Sequence, residues 1–252
     1  MTLEREKKGD THMHILIVND DSISAPGIAV LAKAAEQIGE VTVVAPAEQC
    51  SALSQKLTLR ETLSVEQVHD FPVPVKSAWK VGGTPVDCVK VALDYILEEK
   101  PDLVLSGINN GYNVGFDIAY SGTLGAAFEA VRCGIPAMAF STSADRYLEA
   151  VEPHLLGVIR ELLEEALEPG TVWNVNFPPI GKRPLLGILR DRAVAPTSLF
   201  REKYMEVPRS DGTMHLACQG RPTPDEEIPA GTDAEAVRLG YISIGKVKSV
   251  GF

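Results

Sequence analysis

Two adjacent carboxylates follow the most hydrophobic run of the chain. Residues 15–18, ILIV, lead directly into Asn19, Asp20 and Asp21. Neighbouring carboxylates repel each other, so a fold that keeps both charged needs compensation, which a divalent cation could supply. The ordinary alternative is a turn, because Asn and Asp often end strands and cap helices. The pattern alone leaves metal binding and turn formation both open.

A glycine- and asparagine-rich segment follows another apolar run. Residues 105–115, LSGINNGYNVG, contain three Gly and three Asn. Glycine lets backbone approach a ligand closely, and Asn supplies neutral oxygen ligands and amide donors. A flexible surface loop would have a similar composition, so the segment is a candidate ligand loop and no more.

The same segment continues into a predicted helix start. In residues 120–130, YSGTLGAAFEA, the first helical turn would contain Ser121, Gly122 and Thr123. A helix N-terminus presents free N–H groups and the positive end of the helix dipole, which together attract phosphate. Ser and Thr are also ordinary helix caps. Both interpretations stay open at this point.

Three further loops carry polar residues whose simplest role is structural. Ser51 and Ser54, within residues 45–55, could be hydroxyl ligands or ordinary loop residues. Residues 82–85, GGTP, predict a tight turn into a helix. Asp233 follows Gly and Thr at another helix start, where it is most simply a cap or a favourable N-terminal charge.

Several kinds of active site are not indicated. The chain has no G-x-S-x-G nucleophile elbow, no G-x-x-x-x-G-K-[ST] phosphate loop and no G-x-G-x-x-G fingerprint. Its five His lie outside the glycine-rich loops, and its four Cys are scattered without C-x-x-C spacing. The remaining donors are carboxylate, amide and hydroxyl oxygens, which suit Mg²⁺ or Mn²⁺ better than Zn²⁺.

Short apolar strands alternate with helix-period segments along most of the chain. The pattern predicts strands over residues 14–19, 41–45, 103–106, 137–141 and 172–177. It predicts helices over residues 27–38, 84–97, 123–133 and 147–167, with 107–120 as a loop. Residues 57–65 and 73–81 read as half-exposed strands or an excursion, and 185–221 as strands or a projecting hairpin. Such alternation indicates a mainly parallel sheet covered on both faces, with ligands beyond the carboxyl ends of its strands.

Composition limits the other classes of function. The 252 residues carry a net charge of −10, which argues against a nucleic-acid polymer or an anionic membrane as partner. No segment is long and apolar enough to span a membrane, and residues 1–13 lack the apolar core of a secretory signal. We expect a cytoplasmic protein with a disordered tail over residues 1–13 and a single domain over 14–252.

Several motifs, in order along the chain, closely resemble the SurE family of survival-protein nucleotidases. They are VNDDSISAPGI, VGGTPVDCV, SGINNGYNVG, YSGTLGAAFEA with GIPAMAFS, and GTDAEAVRLGYISI, spanning about residues 14–244. The resemblance implies an α/β fold, a Rossmann-like three-layer sandwich with a β-hairpin excursion over about residues 185–225. It implies a metal-dependent phosphatase of nucleoside 5'-monophosphates that assembles as a homodimer or homotetramer. Some members also release phosphate from polyphosphate.

The resemblance also assigns residues to the site. One divalent metal ion per subunit, Mg²⁺ or Mn²⁺, is expected on Asp20, Asp21, Ser51 and Asn109. Substrate phosphate is expected at Ser121, Gly122 and Thr123, with Asn113 nearby. The implied catalytic residues are Asp20, Asp21 and Asn109.

The chain departs from the usual family pattern in two loops and at its C-terminal part. Ser22 stands where a Gly usually follows the paired aspartates, and Cys50 and Ala52 flank Ser51 in place of a basic residue and a Gly. The second loop is therefore expected to bind substrate differently. The family usually carries a longer C-terminal arm that joins subunits, whereas GKVKSVGF follows the last motif here.

The expected mechanism is direct hydrolysis without a covalent intermediate. A metal would polarise the phosphoryl group and lower the pKa of water, while the helix start at residues 121–123 stabilises the phosphoryl oxygens. A response-regulator receiver would need a third Asp where this chain has Ser106, and a haloacid-dehalogenase-type phosphatase would need D-x-D. A nucleotide or metal sensor on the same scaffold is the non-enzymatic alternative.

Overall fold

The computed structural model describes residues 13–144, 148–179, 184–209 and 212–249. The described strands are β1 (Met13–Val18), β2 (Gly39–Pro46), β3 (Val65–Val68), β4 (Ser77–Val81), β5 (Leu103–Asn110), β6 (Ala137–Thr142), β7 (Thr171–Phe177), β8 (Ile188–Leu189), β9 (Phe200–Val207), β10 (His215–Pro222) and β11 (Ile242–Lys248). The described α-helices are α1 (Pro26–Ala35), α2 (Pro85–Val91), α3 (Gly122–Arg132), α4 (Leu148–Leu163) and α5 (Asp233–Leu239). A π-helical turn, Ala92–Ile96, follows α2, and 3₁₀ turns cover Gly115–Tyr120 and Asp225–Glu227.

Nine strands build the central sheet, in the order β3-β4-β2-β1-β5-β6-β7-β11-β8. Pairing is parallel from β4 to β7, and antiparallel between β3 and β4 and between β7 and β11. Short β8 pairs in parallel with β11. The predicted α/β fold with a mainly parallel sheet is therefore confirmed.

The strand order reverses between β1 and β5. β2 and β4 lie on one side of β1, and the chain then crosses back so that β5, β6 and β7 lie on the other side. The connections at such a point lead away in opposite directions, which leaves a crevice beyond the carboxyl ends of the two strands. The segment that follows β1 lies in that crevice, between the loops that follow β2 and β5.

Burial on both faces explains the uninterrupted apolar run of β1. Ile15 and Ile17 pack in one cluster with residues of α1 and α4, whereas Leu16 and Val18 pack in a second cluster with residues of α2 and α3. Alternate side chains of a strand point to opposite faces of its sheet, so all four buried positions of this strand, 15–18, need an apolar residue. The result is a three-layer sandwich with α1 and α4 on one face and α2 and α3 on the other.

Local caps fix where the helices begin. Thr84 and Asp87 form a reciprocal capping box at the start of α2, with Pro85 in the first turn. Ser121 caps α3 through its hydroxyl, which accepts from the backbone N–H of Leu124 at 3.0 Å. The helix starts predicted near residues 84 and 123 are therefore confirmed to within a residue or two.

The prediction of a loop over residues 107–120 was partly wrong. β5 continues through Asn110, with a shift of register against β6 between Ser106 and Asn109. Gly and Asn are depleted in strands, so local propensity favoured a loop. Pairing with β6 overrides that propensity, so Asn109 and Asn110 form the carboxyl end of β5. The last six residues of the segment form the 3₁₀ turn Gly115–Tyr120.

Other predicted elements were shorter than expected or displaced. Residues 73–81 form a strand only from Ser77, and the strand predicted over 57–65 lies instead at Val65–Val68. The helix predicted to residue 167 ends at Leu163, and α2 gives way to the π-helical turn before residue 97. These differences lie away from the crevice between β1 and β5, where the strand order reverses.

The hairpin predicted in the C-terminal part is present as a separate ribbon. β9 and β10 pair only with each other, in antiparallel register, and all eight residues of β9 are exposed. Its large exposed apolar side chains include Tyr204, Met205 and Leu216. Both strands of the ribbon lie within residues 185–225, the region predicted to form the hairpin excursion.

Met13, which was assigned to the N-terminal tail, begins β1, and the rest of that tail lies outside the described residues. The assignment of residues 14–252 to a single domain stays a prediction.

None of the helices in the described part of the chain has the length and apolar character that crossing a bilayer would require.

Candidate functional site

Asp20 lies where β1 meets the start of α3. Its side chain is 3% exposed, and its Oδ1 accepts a hydrogen bond of 2.7 Å from the hydroxyl of Thr123. The pKa of this carboxyl is raised to about 6, chiefly by burial and also by the charge of Asp21, although the hydrogen bond from Thr123 lowers it. No cation contributes to that shift within the described residues. Asp20 is thus a buried acid that lacks a positive partner.

Asp21 is partly exposed and joins the loops on both sides of β1. Its Oδ2 accepts from the backbone N–H of Asn110 at 2.8 Å, and its Oδ1 accepts from Nε2 of Gln49 at 3.3 Å. The same Nε2 donates to Oγ of Ser51 at 3.0 Å. Gln49 therefore links two of the predicted metal ligands. Gln49 was not among the residues predicted for the site, because nothing in the local sequence distinguishes it from an ordinary exposed loop residue.

The loop after β2 is attached to the site at further points. The backbone N–H of Cys50 donates to the carbonyl oxygen of Asp20 at 2.7 Å. The N–H of Ser54 donates to the carbonyl oxygen of Tyr120, immediately before α3, at 3.0 Å. These bonds anchor the loop that carries Ser51 to Asp20 and to the residue before the start of α3.

Asn109 lies at the end of β5, one residue before the Asn110 that contacts Asp21. Its Nδ2 donates to the carbonyl oxygen of Gly111 at 2.8 Å, which leaves its side-chain oxygen available as an acceptor. Within the described part of the chain, Asn109 makes no hydrogen bond to either aspartate. Asn109 therefore lies at the same end of the sheet as the acidic pair, without a hydrogen bond to it among the described residues.

The start of α3 has the helix cap that the sequence allowed, and it also contacts the acidic pair. Ser121 is used as the helix cap, so its oxygen is already engaged by the N–H of Leu124. Thr123 donates to Asp20, and its carbonyl accepts from the buried hydroxyl of Ser106 at 2.7 Å. The positive end of the helix therefore faces a carboxylate, and Gly122 lies between the cap and that carboxylate in the first turn.

Asn113 is held by two buried residues that the sequence analysis missed. Its backbone N–H donates to Oδ1 of Asn176 at 2.8 Å, and its carbonyl accepts from Nδ2 of Asn174 at 2.8 Å and of Asn176 at 3.2 Å. Its own side-chain nitrogen is buried and has no partner in the described structure. Within the described residues, no hydrogen bond joins Asn113 to residues 121–123. The available signal was the pair of Asn two positions apart in the otherwise apolar β7, which places both on one face of the strand.

Asp233 has a wider role than the predicted helix cap, which is Thr232. Its carboxylate accepts from the N–H of Gly115 at 3.0 Å and of Ala195 at 2.9 Å. Burial raises its pKa, while these backbone bonds oppose the rise. Asp233 thus fastens the end of the Asn-rich segment to the chain before β9.

The oxygen donors around Asp20 fit a hard divalent cation. A buried carboxylate next to a second carboxylate, with no positive partner in the described structure, is the arrangement that such an ion would neutralise. Ser51 and Asn109 can add neutral oxygens. Among the described residues, no group of three or more His, Cys, Asp or Glu forms a metal cluster. A divalent cation bound here would therefore need amide and hydroxyl oxygens to complete its ligand set.

Comparison with known proteins identifies the family. The model of the family described as "Survival protein SurE" matches residues 15–205. The chain belongs to the SurE family. It is 38% identical to a protein named 5'-nucleotidase SurE from Synechococcus, over 92% of this chain and 90% of that one. It is 39% identical to 5'-nucleotidase SurE 1 from Thermus thermophilus, over 93% and 91% of the two chains. The crystal structure of SurE from Aquifex aeolicus superimposes with a TM-score of 0.79 at 33% identity, covering 93% of each chain.

Two departures from the usual SurE pattern coincide with unusual backbone. Ser22 has a φ of 94° and Ala52 a φ of 58°, both in the left-handed region that favours glycine. These are the positions where the family usually has Gly. The chain therefore carries side chains in both loops at positions whose backbone conformation favours glycine.

Proposed function

We propose that this protein hydrolyses nucleoside 5'-monophosphates to nucleoside and phosphate, with one Mg²⁺ or Mn²⁺ per subunit. The observation that carries the proposal is the contact between the adjacent carboxylates after β1 and the N-terminus of α3, made by Thr123 on Asp20. Membership of the SurE family and the names of its relatives support the same activity.

Four residues would hold the metal: Asp20, Asp21, Ser51 and Asn109. When bound, the ion would supply Lewis-acid polarisation of the phosphoryl group and lower the pKa of water. Gln49 keeps two of the ligands, Asp21 and Ser51, at one nitrogen and so reduces the rearrangement that binding requires.

The start of α3 would bind the phosphoryl group. The backbone N–H groups of Gly122 and Thr123 and the hydroxyl of Ser121 can donate to phosphoryl oxygens, whereas the hydroxyl proton of Thr123 is already donated to Asp20. Preorganised donors of this kind stabilise charge without further reorganisation. Asn113, with its unpartnered side-chain nitrogen and firmly held backbone, would add a further donor on the β5 side. The attacking water and the departing nucleoside oxygen then lie on opposite sides of phosphorus, and no covalent enzyme intermediate is needed.

Phosphate release from a panel of nucleoside monophosphates tests the proposal. The protein is assayed with EDTA and again after Mg²⁺ or Mn²⁺ is restored, with polyphosphate and a generic phosphate ester as further substrates. Metal-restored release from the nucleotides supports the proposal. Release from polyphosphate would extend the activity to that substrate. Binding of metal and nucleotide without any release would favour the sensor.

We also propose that the enzyme assembles as a homodimer or homotetramer in the cytoplasm. The ribbon formed by β9 and β10 supports assembly, because it exposes Tyr204, Met205 and Leu216 on an element that pairs with no other described strand. Light scattering after gel filtration measures the mass. A monomer at micromolar concentration would contradict the assembly proposal and leave the activity proposal intact.

A further inference from the structure

A cavity of about 220 Å³ opens beside Asp21 on the side of the sheet edge opposite α3. Its walls come from the turn between β1 and α1, from the ends of β5 and β6, and from the start of α4. Apolar lining is provided by Pro26, Ile108 and Leu148. Because Asp21 lines the cavity and Asp20 faces Thr123, the acidic pair lies between the cavity and the start of α3.

Two polar residues in the cavity wall have unsatisfied oxygens. Asn110 and Thr142 are direct neighbours across β5 and β6, and both line the cavity. Oδ1 of Asn110 and Oγ1 of Thr142 are buried, and neither has a hydrogen-bond partner in the described structure. Thr142 is only 1% exposed. Buried polar atoms are normally paired, so two adjacent unpaired oxygens in a cavity wall indicate a ligand that pairs with them.

The charge of the cavity selects the kind of ligand. None of its described lining residues is basic, and Asp21 contributes a carboxylate. A second phosphate group would therefore be repelled, whereas an uncharged group with hydroxyls and an apolar face would be accepted. Pockets for drug-sized ligands usually measure roughly 300 to 1,000 Å³. A cavity below that range suits one nucleoside rather than a dinucleotide.

We propose that this cavity binds the nucleoside half of the substrate, with the ribose hydroxyls paired to Asn110 and Thr142. This inference rests on the proposed function, because it places the phosphate at the start of α3 and the nucleoside across Asp21 from it. It assigns Asn110 and Thr142 to specificity, and it gives a reason for a preference for monophosphates, since none of the described lining residues would offer a positive group to an extended phosphate chain.

The test compares substrates with and without a ribose. Thr142→Val keeps the shape of the side chain and removes the hydroxyl. We expect it to raise KM for AMP about 5- to 10-fold, the usual effect of one lost hydrogen bond. Kinetics with p-nitrophenyl phosphate should change less than about 2-fold, because that substrate has no hydroxyl to pair. Thr142→Ser, which keeps the hydroxyl, should restore KM for AMP, and the wild type should prefer AMP to 2'-deoxy-AMP.

A matched control is available at the opposite edge of the sheet. Ser249 also has a buried hydroxyl without a described partner, and its N–H bonds the carbonyl of Gly170, just before β7. Ser249→Ala should leave KM for both substrates unchanged. Equal losses on AMP and p-nitrophenyl phosphate in Thr142→Val, or no change on AMP, would overturn the assignment of the cavity.

Adenosine separates this inference from the proposed function. Its binding, measured by titration calorimetry, needs neither turnover nor a phosphate group. Binding that weakens in Thr142→Val but not in Ser249→Ala supports the cavity even if no phosphate ester is hydrolysed. If AMP is hydrolysed but the two variants bind adenosine as the wild type does, the cavity proposal is wrong and the phosphatase proposal stands.

Discussion

The two halves of the candidate site both need left-handed backbone, and they provide it with different residues. In the half built from β5 and its following segment, the positions are glycines, such as Gly107 at a φ of 134° and Gly115 at 56°. In the half built from the loops after β1 and β2, they are Ser22, Ala52 and Ser54, at 94°, 58° and 51°. Non-glycine residues pay roughly 1–2 kcal/mol each for that conformation.

The half built from β5, the packed half, is glycine-rich because neighbouring atoms leave little space. The half built from the loops after β1 and β2, the strained half, holds non-glycine residues in a disfavoured conformation. A Cβ on Gly107 would lie 2.4 Å from the carbonyl oxygen of Phe140, and one on Gly115 would lie 2.0 Å from that of Thr197. At these two positions the β5 half has no room for a side chain. The other half has room, and hydrogen bonds to neighbouring elements keep its loops in place. The predictions below test this contrast, beginning with the residue where the halves meet.

Asp21→Asn should have the largest effect, because Asp21 accepts from Gln49 in one half and from Asn110 in the other. Removing the negative charge should lower metal-dependent phosphate release by on the order of 100-fold or more, with little change in unfolding free energy. Phosphate release and urea denaturation measure the two effects. Asp191→Asn, at an exposed residue with a φ of 53°, is the control. Unchanged metal-dependent turnover in Asp21→Asn would remove Asp21 from the site.

Gly115→Ala should destabilise the packed half by about 2–4 kcal/mol, because it combines a positive φ with a clash against the carbonyl of Thr197. Urea denaturation gives the value. Gly157→Ala is the matched control, since a Cβ at this position in α4 meets nothing within 4 Å. That variant should gain about 0.5–1 kcal/mol. Similar effects in the two variants would show that packing is not what requires Gly115.

Asp87→Asn should loosen the strained half in a pH-dependent way. Burial alone would raise the pKa of Asp87, but hydrogen bonds from the N–H groups and hydroxyls of Thr84 and Thr58 outweigh it and lower the pKa. The stabilisation is therefore present above the ordinary Asp pKa of about 3.9 and is lost as pH falls through the lower folded value. We expect the variant to lose about 1–2 kcal/mol at pH 7.

The matching measurement is urea denaturation of wild type and Asp87→Asn at pH 7 and again below the pKa of Asp. The difference between the two proteins should shrink in acid. A constant difference at both pH values would mean that the charge of Asp87 does not hold Thr58 and the loop that precedes it.

Ser22→Gly and Ala52→Gly should have the smallest effects, and in the opposite direction. Each removes a disfavoured conformation, and the extra freedom of Gly in the unfolded chain offsets part of the gain. A net stabilisation of about 0.5–1 kcal/mol is expected in each. Ser24→Gly, at an exposed position without a positive φ, should instead be slightly destabilising. Destabilisation by both Ser22→Gly and Ala52→Gly would show that their side chains contribute more than the strain removes.

The edge of the sheet that carries the site could be predicted from the sequence. The apolar run at residues 15–18 implied burial on both faces of the sheet. Because the carboxyl ends of parallel strands lie at one end of the sheet, Asp20 and the start of α3 were expected together. The contacts of Gln49, Asn174 and Asn176 could not be predicted. They depend on the register of strands and loops that are far apart in the chain, and on a register shift in β5 where local propensity indicated a loop.

The place of β1 in the sheet also matters while the chain is being synthesised. β1 and β2 are close in sequence and can pair early, but the other edge of β1 stays open until residues 103–110 of β5 have left the ribosome. An open edge on an apolar strand invites pairing with other chains. Charged residues that flank such a strand oppose this pairing, and Asp20 and Asp21 occupy that position. The two aspartates at the crevice of the folded protein are therefore also charges of the kind that oppose aggregation of an unpaired strand.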